Sequence, residues 1–404
     1  MLRLLLTLLL VLAGSCKTQH PAASLDHPWP TFCHDNQRTN RSHLPAPSRP
    51  VLKWRVQLSP AGQRISFGLV RGPVVDASNN CYVLTDRVNL HCVDAQGKIT
   101  WTRKVPRSFY SPIICRDGSL VCNGESLVRI KNGAETKLKG FDLDFGKAYS
   151  REDSFEHALE LDDGDLLCMM NKSTNSSVLN KNVWNSQLLN LASTGRVRWK
   201  SSSVGILNLT LTPITTDGEL VVVIRNKAEL FDVGGLPLAT ASDVAIKPWI
   251  PPMLNRDSIF VVTKARQGVA KYDRSFALSW SYPVAPSKIT TYALGLQGEL
   301  FLSLLHDISQ TQRDSALLAL DSSGTELWRR ELPGGKNAAL TVDSSGILLA
   351  SLAMGEILAL NPANGKDVWR IKVPDSYGSA IIGNDRTLFV LDRMGGLNAI
   401  GEGP

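Results

Sequence analysis

The 404-residue sequence predicts an all-β fold, an eight-bladed β-propeller of four-stranded antiparallel blades that an amino-terminal strand closes. Two repeated features and one unpaired strand predict it. A polar turn followed by an alternating apolar run recurs eight times, and in several copies a turn glycine precedes a tryptophan by four residues. Alternation is the pattern of half-buried strands, and a repeat of about 40 to 55 residues is typical of four-stranded blades.

The turns are rich in Gly, Asn and Asp, the residues that relieve the strain of positive φ in tight hairpins. Eight turns predict eight blades. They lie at residues 76–79, 116–119, 162–165, 216–219, 255–258, 296–299, 343–346 and 383–386.

The tryptophans follow the turn glycines at a fixed distance, as in Gly97 to Trp101 and Gly324 to Trp328. Alternation directs each of them into the space between two blades, where the ring is buried and the indole N–H meets a backbone acceptor of the next blade. We therefore predict that they dock blades and do not stack on a ligand. The predicted docking residues are Trp54, Trp101, Trp199, Trp280, Trp328 and Trp369. The register continues without tryptophan in Gly133 to Lys137 and Gly235 to Ala239, which predicts two degenerate blades.

Closure follows from counting strands at the two ends of the sequence. Residues 51–58 form an outer strand before which no strand of the same blade occurs, while 379–382, 387–391 and 397–400 supply three strands. Joining the ends in one blade completes the ring and leaves no open sheet edge.

Two segments carry a resemblance to a known family, His91–Trp101 and Asn361–Trp369. Each resembles the blade motif of the pyrroloquinoline-quinone (PQQ) repeat family, which ends in Ala-x-Asp, a short glycine turn and the docking tryptophan. The segment Trp29–Thr39 is similar to the lead-in common in that family. The resemblance covers roughly residues 28–402 and implies the propeller fold.

The amino terminus predicts an exported lipoprotein. The apolar run from Leu4 to Ala13 is too short to span a bilayer, and Ala13-Gly14-Ser15-Cys16 resembles the bacterial lipobox. We expect residues 1–15 to be a signal peptide, 16–50 a linker and lead-in, and 51–402 the propeller. Acylation of Cys16 would anchor the protein to a membrane surface, in the periplasm or at the outer membrane. A signal peptide followed by a bystander cysteine is the alternative.

The remaining cysteines are Cys33, Cys81, Cys92, Cys115, Cys122 and Cys168. Export permits disulfides, and neighbouring strands could pair Cys81 with Cys92 or Cys115 with Cys122, but buried free thiols are the preferred interpretation. The net charge of +7 is scattered along the chain, so no nucleic-acid-binding face is expected.

The sequence contains no Cys-x-x-Cys, His-Glu-x-x-His or Gly-x-Ser-x-Gly motif, so it predicts neither catalytic nor metal-binding residues. Long segments at 142–156, 171–183 and 306–314 are expected on one face, where propellers place their crossovers and second-to-third-strand turns. Extra loop length on one face indicates a surface for envelope protein partners.

Two function classes remain. The first is a non-catalytic scaffold similar to the propeller lipoprotein of the outer-membrane β-barrel assembly machinery. The second is a PQQ-dependent dehydrogenase, or a propeller that binds another small ligand. The resemblance implies an adjacent-cysteine pair, a calcium site and a supporting tryptophan in the family's enzymes, and no two cysteines of this chain are adjacent. We therefore expect no cofactor and favour the scaffold.

Overall fold

The structure is a computed structural model, and part of the chain is described in it. The described residues are 27–31, 33–59, 72–108, 110–139, 154–176, 181–201, 220–224, 227–232, 234–242, 250–263, 266–307, 313–332, 337–353, 355–373 and 375–404.

Every regular element with assigned bounds is a β-strand, and consecutive strands pair in antiparallel hairpins to form the blades. Blade I consists of β2 (Val74–Val75), β3 (Cys81–Thr85), β4 (Asn89–Val93) and β5 (Ile99–Lys104). Blade II consists of β6 (Ile113–Ile114), β7 (Leu120–Cys122), β8 (Leu127–Lys131) and β9 (Ala134–Lys139). Blade III consists of β10 (Ser154–Glu160), β11 (Leu166–Ser176), β12 (Lys181–Leu191) and β13 (Val197–Lys200).

The sheet that follows has three strands, β14 (Leu220–Ile224), β15 (Lys227–Phe231) and β16 (Pro237–Ser242). Blade IV consists of β17 (Met253–Asn255), β18 (Ser258–Val262), β19 (Gly268–Tyr272) and β20 (Leu278–Pro283). Blade V consists of β21 (Lys288–Leu294), β22 (Leu300–Asp307), β23 (Arg313–Leu320) and β24 (Glu326–Leu332). Blade VI consists of β25 (Ala338–Val342), β26 (Leu348–Leu352), β27 (Glu356–Leu360) and β28 (Asp367–Lys372).

Blade VII joins the two ends of the chain. Its strands are β29 (Ser376–Ile382), β30 (Leu388–Asp392), β31 (Gly396–Glu402) and, as the outermost strand, β1 (Pro50–Gln57). Strand β1 pairs with β31 along its length, from Pro50 opposite Glu402 to Gln57 opposite Gly396. An ion pair between Arg55 and the buried Asp392 supports the junction, with 2.9 Å between Nε and Oδ2. The predicted closure of the last blade by an amino-terminal strand is therefore present.

The prediction of eight four-stranded blades was wrong. The described residues form seven four-stranded blades, and the sheet β14–β16 has three strands. Its strands β14, β15 and β16 pair in chain order as antiparallel neighbours. The spacing of turns predicts where hairpins recur, but it does not establish how many strands pair in each sheet.

Apolar side chains between neighbouring sheets form the core. Blades I and II share a buried cluster that includes Leu90 and Val128, and blades VII and I share one that includes Phe389 and Val83. Similar clusters join each remaining pair of neighbours, including both sides of the sheet β14–β16. Packing from sheet to sheet all the way round the ring makes this an all-β propeller.

Four tryptophans lie directly on the turn glycine of the following sheet. They are Trp54 on Gly97, Trp199 on Gly235, Trp280 on Gly324 and Trp328 on Gly365. A Cβ atom on any of these glycines would lie 2.6 to 2.8 Å from the indole ring, so the contact requires glycine. The indole N–H groups of Trp54, Trp280 and Trp328 donate to carbonyl oxygens of the same turns, for example Trp280 to Ser322 at 3.1 Å. The side chains of Trp101 and Trp369 are half-buried.

Candidate functional site

The lead-in segment crosses one end of the ring, and we call residues 27–46 the plug. Its backbone exchanges hydrogen bonds with the innermost strands of most blades. The partners in those strands are Val75, Ile114, Leu254, Leu294 and Val342. Each partner lies at or next to the carboxyl end of its strand. One continuous segment therefore ties blades I, II, IV, V and VI together around the axis.

Side chains of the plug extend these ties. The amide of Asn36 donates to the carbonyl of Glu160 in blade III at 2.9 Å, and the amide of Asn40 donates to the carbonyl of Tyr292 at 2.9 Å. Trp29 is 1% exposed and packs edge-on against His34, with 4.8 Å between ring centroids. These contacts pack side chains of the plug against the ring.

The most unusual residue of the plug is Arg38, which is 1% exposed. Its guanidinium donates to the hydroxyl of Thr31 at 3.0 Å. Burial lowers the pKa of Arg38 to about 10, while the nearby Cys33 and Asp35 act in the opposite direction. Burial alone would raise the pKa of Asp35, but contacts with His34 and Thr39 bring it below its ordinary value of 3.8. The plug is thus a buried polar network in which Thr31 accepts a hydrogen bond from Arg38, while His34 and Thr39 contact the carboxylate of Asp35.

The sequence predicts a lead-in over Trp29–Thr39, but it does not predict that this segment crosses one end of the ring. The signal in the sequence is the density of hydrogen-bonding side chains from Thr31 to Ser42, which is uncommon for a surface linker. Four of these residues, Cys33, His34, Arg38 and Asn40, adopt positive φ without being glycine. Such conformations persist where surrounding contacts over-determine them.

The plug defines the two faces of the ring. It lies beside the turns that join first and second strands, since Ala46 N–H donates to Asp343 of one such turn and Ala77 N–H of another donates to His27. Because the strands are antiparallel, the turns between second and third strands lie on the opposite face. We call this opposite face the open face.

On the open face, residues 171–176 and 181–183 of the predicted loop belong to strands, and residues 177–180 lie outside the described part of the chain. Strands β11 and β12 pair continuously from Leu166 opposite Leu191 to Ser176 opposite Lys181. Within the described residues, β10 pairs with β11 no further than Asn171, and β13 pairs with β12 no further than Leu189. Past these pairs, residues 172–176 and 181–186 continue β11 and β12 as a two-stranded ribbon, and we call it the ribbon.

The other two predicted loops are only partly described. Of the segment 142–156, residues 154–156 belong to β10, and the rest lie outside the described part of the chain. In the segment 306–314, strands β22 and β23 pair as far as Asp307 opposite Arg313. The remaining residues, 308–312, also lie outside the description, so the carboxylates of the first segment are not placed.

The remaining predictions concern the cysteines, metal ligands and membrane-spanning segments. Cys16 lies outside the described residues. The other six cysteines are buried and form no disulfide with one another, the alternative that the sequence favoured. Within the described part of the chain, no group of three or more His, Cys, Asp and Glu side chains converges, and no helix is long and apolar enough to cross a membrane.

A sequence profile described as outer membrane protein assembly factor BamB matches residues 51–148 and 313–401. These segments hold blades I, II and VI, the third and fourth strands of blade V, and nearly all of blade VII. The chain is a β-propeller, and the matched segments are similar to the repeats of that family. No curated protein matches it in sequence.

Solved structures show the same fold at low identity. A quinohemoprotein alcohol dehydrogenase from Comamonas testosteroni is 10% identical with a TM-score of 0.69, covering 96% of this chain and 83% of that one. BamB from Moraxella catarrhalis is 12% identical with a TM-score of 0.55, covering 87% of this chain and 99% of that one. A computationally designed protein, Ika8, is 11% identical with a TM-score of 0.60, covering 85% of this chain and 98% of that one. PQQ-repeat propellers thus include an enzyme and an assembly factor, and the fold alone does not choose between those functions.

Proposed function

We propose that this propeller is a non-catalytic scaffold of the bacterial cell envelope that binds protein partners through its open face. The proposal depends on one observation, that the two faces of the ring differ. One end of the ring is filled by the chain's own plug, and the other end carries the ribbon. The match to the BamB profile supports a role in outer-membrane protein assembly.

The ribbon suits protein binding because its strands have free edges among the described residues. Beyond Asn171 on one side and Leu188 on the other, no described strand pairs with β11 or β12 from outside. Exposed strand edges recruit extended segments of other proteins by adding them to the sheet. A partner strand added to the ribbon would gain backbone hydrogen bonds without any change in the ring.

A PQQ-dependent dehydrogenase is the alternative. Calcium that accompanies such a quinone needs several converging oxygen ligands. The described residues offer no convergent group of acidic, His and Cys side chains, so they do not fit that site, and we derive no reaction step through it. Because the plug buries its own end, a ligand of the axis would have to approach from the open face.

The decisive experiment shortens the ribbon. Asn171 lies opposite Ser186, so residues 172–185 can be replaced by an Asn-Gly turn that closes the hairpin. The control joins Leu305 to Ser315 of blade V by the same turn. Partners are then identified by crosslinking in cells, and melting temperature verifies folding of both variants. Loss of crosslinks in the ribbon variant alone supports the proposal.

Two results would overturn it. One is a set of protein crosslinks that ribbon removal leaves unchanged in a folded variant. The other is saturable stabilisation of the purified protein by PQQ with calcium, accompanied by oxidation of an alcohol or a sugar. Envelope anchoring is tested separately by incorporation of radiolabelled palmitate, which Cys16→Ala should abolish. Retention of label in that variant would contradict the lipoprotein assignment.

A further inference from the structure

The groove between blades I and II is the starting point. Its volume is about 440 Å³, and its walls come from both blades. Blade I contributes Tyr82, Trp101 and Arg103, and blade II contributes the apolar Leu120 and Ile130 together with the turn that joins β8 to β9. We call it the Trp101 groove.

At six other junctions, described contacts fill the corresponding place. The junction of blades VI and VII, beside Trp369, is different, because its third and fourth strands, β31 and β1, come from opposite ends of the chain and no turn joins them. Four tryptophans are covered by a turn glycine, as described above. Where Ala239 replaces tryptophan, the ring of Phe276, which replaces the glycine, packs beside it and is 8% exposed. Where Lys137 replaces tryptophan, Gly195 lies against the backbone of Leu138, whose carbonyl oxygen would be 2.0 Å from an added Cβ.

Trp101 has no such cover because the turn in front of it is short. In blade I the turn between third and fourth strands comprises residues 94–98, and the equivalent turn in blade V comprises 321–325. In blade II, Lys131 pairs with Ala134, which leaves the two-residue turn Asn132-Gly133. An added Cβ on Gly133 would meet no atom within 4 Å, so this glycine does not touch the indole.

The groove retains the groups that bind a glycine turn elsewhere. The indole N–H of Trp101 has no hydrogen-bond acceptor among the described residues, whereas those of Trp54, Trp280 and Trp328 donate to turn carbonyls. Tyr82 packs beside the indole at 6.0 Å between ring centroids. The rim carries the guanidinium of Arg103, which donates to Gly133 O at 2.7 Å.

The filled junctions also define the chemistry of the occupant. The turn over Trp280 begins with Asp321, whose carboxylate accepts the N–H groups of Ser323 and Thr325 and thereby shapes the loop. The turns over Trp54 and Trp199 begin with Asp94 and Asp232. Among the described residues that line the groove, Arg103 is the charged one, so an acidic turn also complements its charge.

We propose that the Trp101 groove binds an Asp-x-x-Gly turn of a partner protein, in the way that the junctions at Trp54, Trp199 and Trp280 bind such turns of this chain. The glycine covers the indole, a turn carbonyl accepts its N–H, and the acidic residue faces Arg103. The proposal rests on the proposed function in one respect, since its occupant belongs to a second protein. The Trp101 groove would be a second contact with a partner protein, at the edge of the face that carries the plug and opposite to the face that carries the ribbon.

The first test uses a disulfide-closed hairpin peptide that carries the sequence of Leu320–Glu326. It is titrated into the chain from Lys17 labelled with ¹⁵N-tryptophan, and the Trp101 indole signal is assigned by its loss in Trp101→Phe. We expect a saturable shift of that signal. The control peptide, with alanine in place of glycine, should bind at least tenfold more weakly, because alanine disfavours positive φ and its Cβ collides with the ring.

The second test fills the groove from within the chain. Asn132-Gly133 is replaced by Asp-Ser-Ser-Gly-Thr, which copies residues 321–325. Hydrogen exchange of the Trp101 indole should slow at least tenfold, and the glycine peptide should no longer bind. The other indole signals report whether the variant folds; if it does not fold, the peptide pair alone decides.

Three results would overturn the proposal: no shift with the glycine peptide, equal binding of both peptides, or unchanged exchange in a folded long-turn variant. A shift of the Trp101 signal on removal of residues 17–26 would instead identify the chain's own tail as occupant, which also refutes it. Failure here combined with ribbon-dependent crosslinks leaves the scaffold function intact. Peptide binding without any cellular partner would refute the scaffold and retain the groove.

Discussion

Replacing Gly324 with alanine tests the contact on which the packing of neighbouring blades is argued. Gly324 has φ of +86°, and an added Cβ would lie 2.6 Å from Cδ2 of Trp280. The indole cannot move away without lengthening its 3.1 Å hydrogen bond to Ser322 O. The substitution therefore combines backbone strain with a collision in a packed junction.

The two contributions can be separated by a matched control. Gly164 has φ of +81°, and an added Cβ there meets no atom within 4 Å. Left-handed backbone costs an alanine roughly 1 to 2 kcal/mol at either site. Overpacking adds about 1 to 3 kcal/mol where neighbours must move. We expect a loss of about 1 to 2 kcal/mol for Gly164→Ala and about 2 to 5 kcal/mol for Gly324→Ala.

Urea denaturation followed by far-UV circular dichroism measures both variants beside the parent chain, and the midpoints are compared at equal slope. Fluorescence of Trp280, isolated by difference with Trp280→Phe, reports whether the indole becomes exposed. Equal midpoints for the two alanine variants would refute the reasoning, because backbone strain alone would then explain the loss.

Three further outcomes are expected. Deleting residues 51–58 removes the strand that pairs with β31, so the urea midpoint should fall and aggregation should rise; an unchanged midpoint would contradict ring closure. Hydrogen bonds from Ser275 and Ser323 hold the pKa of Asp273 and Asp321 below 3.8, so their contribution to stability is present above about pH 4 and is lost as the pH falls through the lowered values. Asp321→Asn should flatten that acid decline, and an unchanged pH profile would count against it. Burial raises the pKa of the thiols of Cys115, Cys122 and Cys168 to about 12, so a thiol reagent at neutral pH should label none of the six described cysteines before unfolding and all six afterwards. Rapid labelling of the native protein would show that the thiols are accessible.

Local features were predictable because their causes are local. The turn of Asp94 and Gly97 depends on a carboxylate that accepts nearby N–H groups and on a residue that tolerates positive φ, and both are readable in five consecutive residues. Alternation in β5 likewise predicts on which side of the sheet Trp101 lies. It does not predict whether the next blade covers that tryptophan, since the cover depends on the turn at Asn132.

For the plug too, the sequence predicts the segment but not its contacts with the blades. The resemblance identified Trp29–Thr39 as a lead-in, but nothing in its sequence says where Arg38 lies. An arginine is buried only where partners surround it, and here the neighbours of the plug come from distant parts of the chain, such as Val75 and Val342. Burial of this kind is decided by the closed ring.

By itself, the sequence determined an all-β propeller of PQQ-like repeats, the glycine and tryptophan register, and the pairing of its two ends, because hairpin chemistry and strand alternation act over a few residues. Tertiary structure decided that seven blades have four strands and that the sheet β14–β16 has three. It also decided that the lead-in fills one end of the ring and that Trp101 faces a groove. These features arise where separate blades meet, and the spacing between blades is set by the packing of the whole ring.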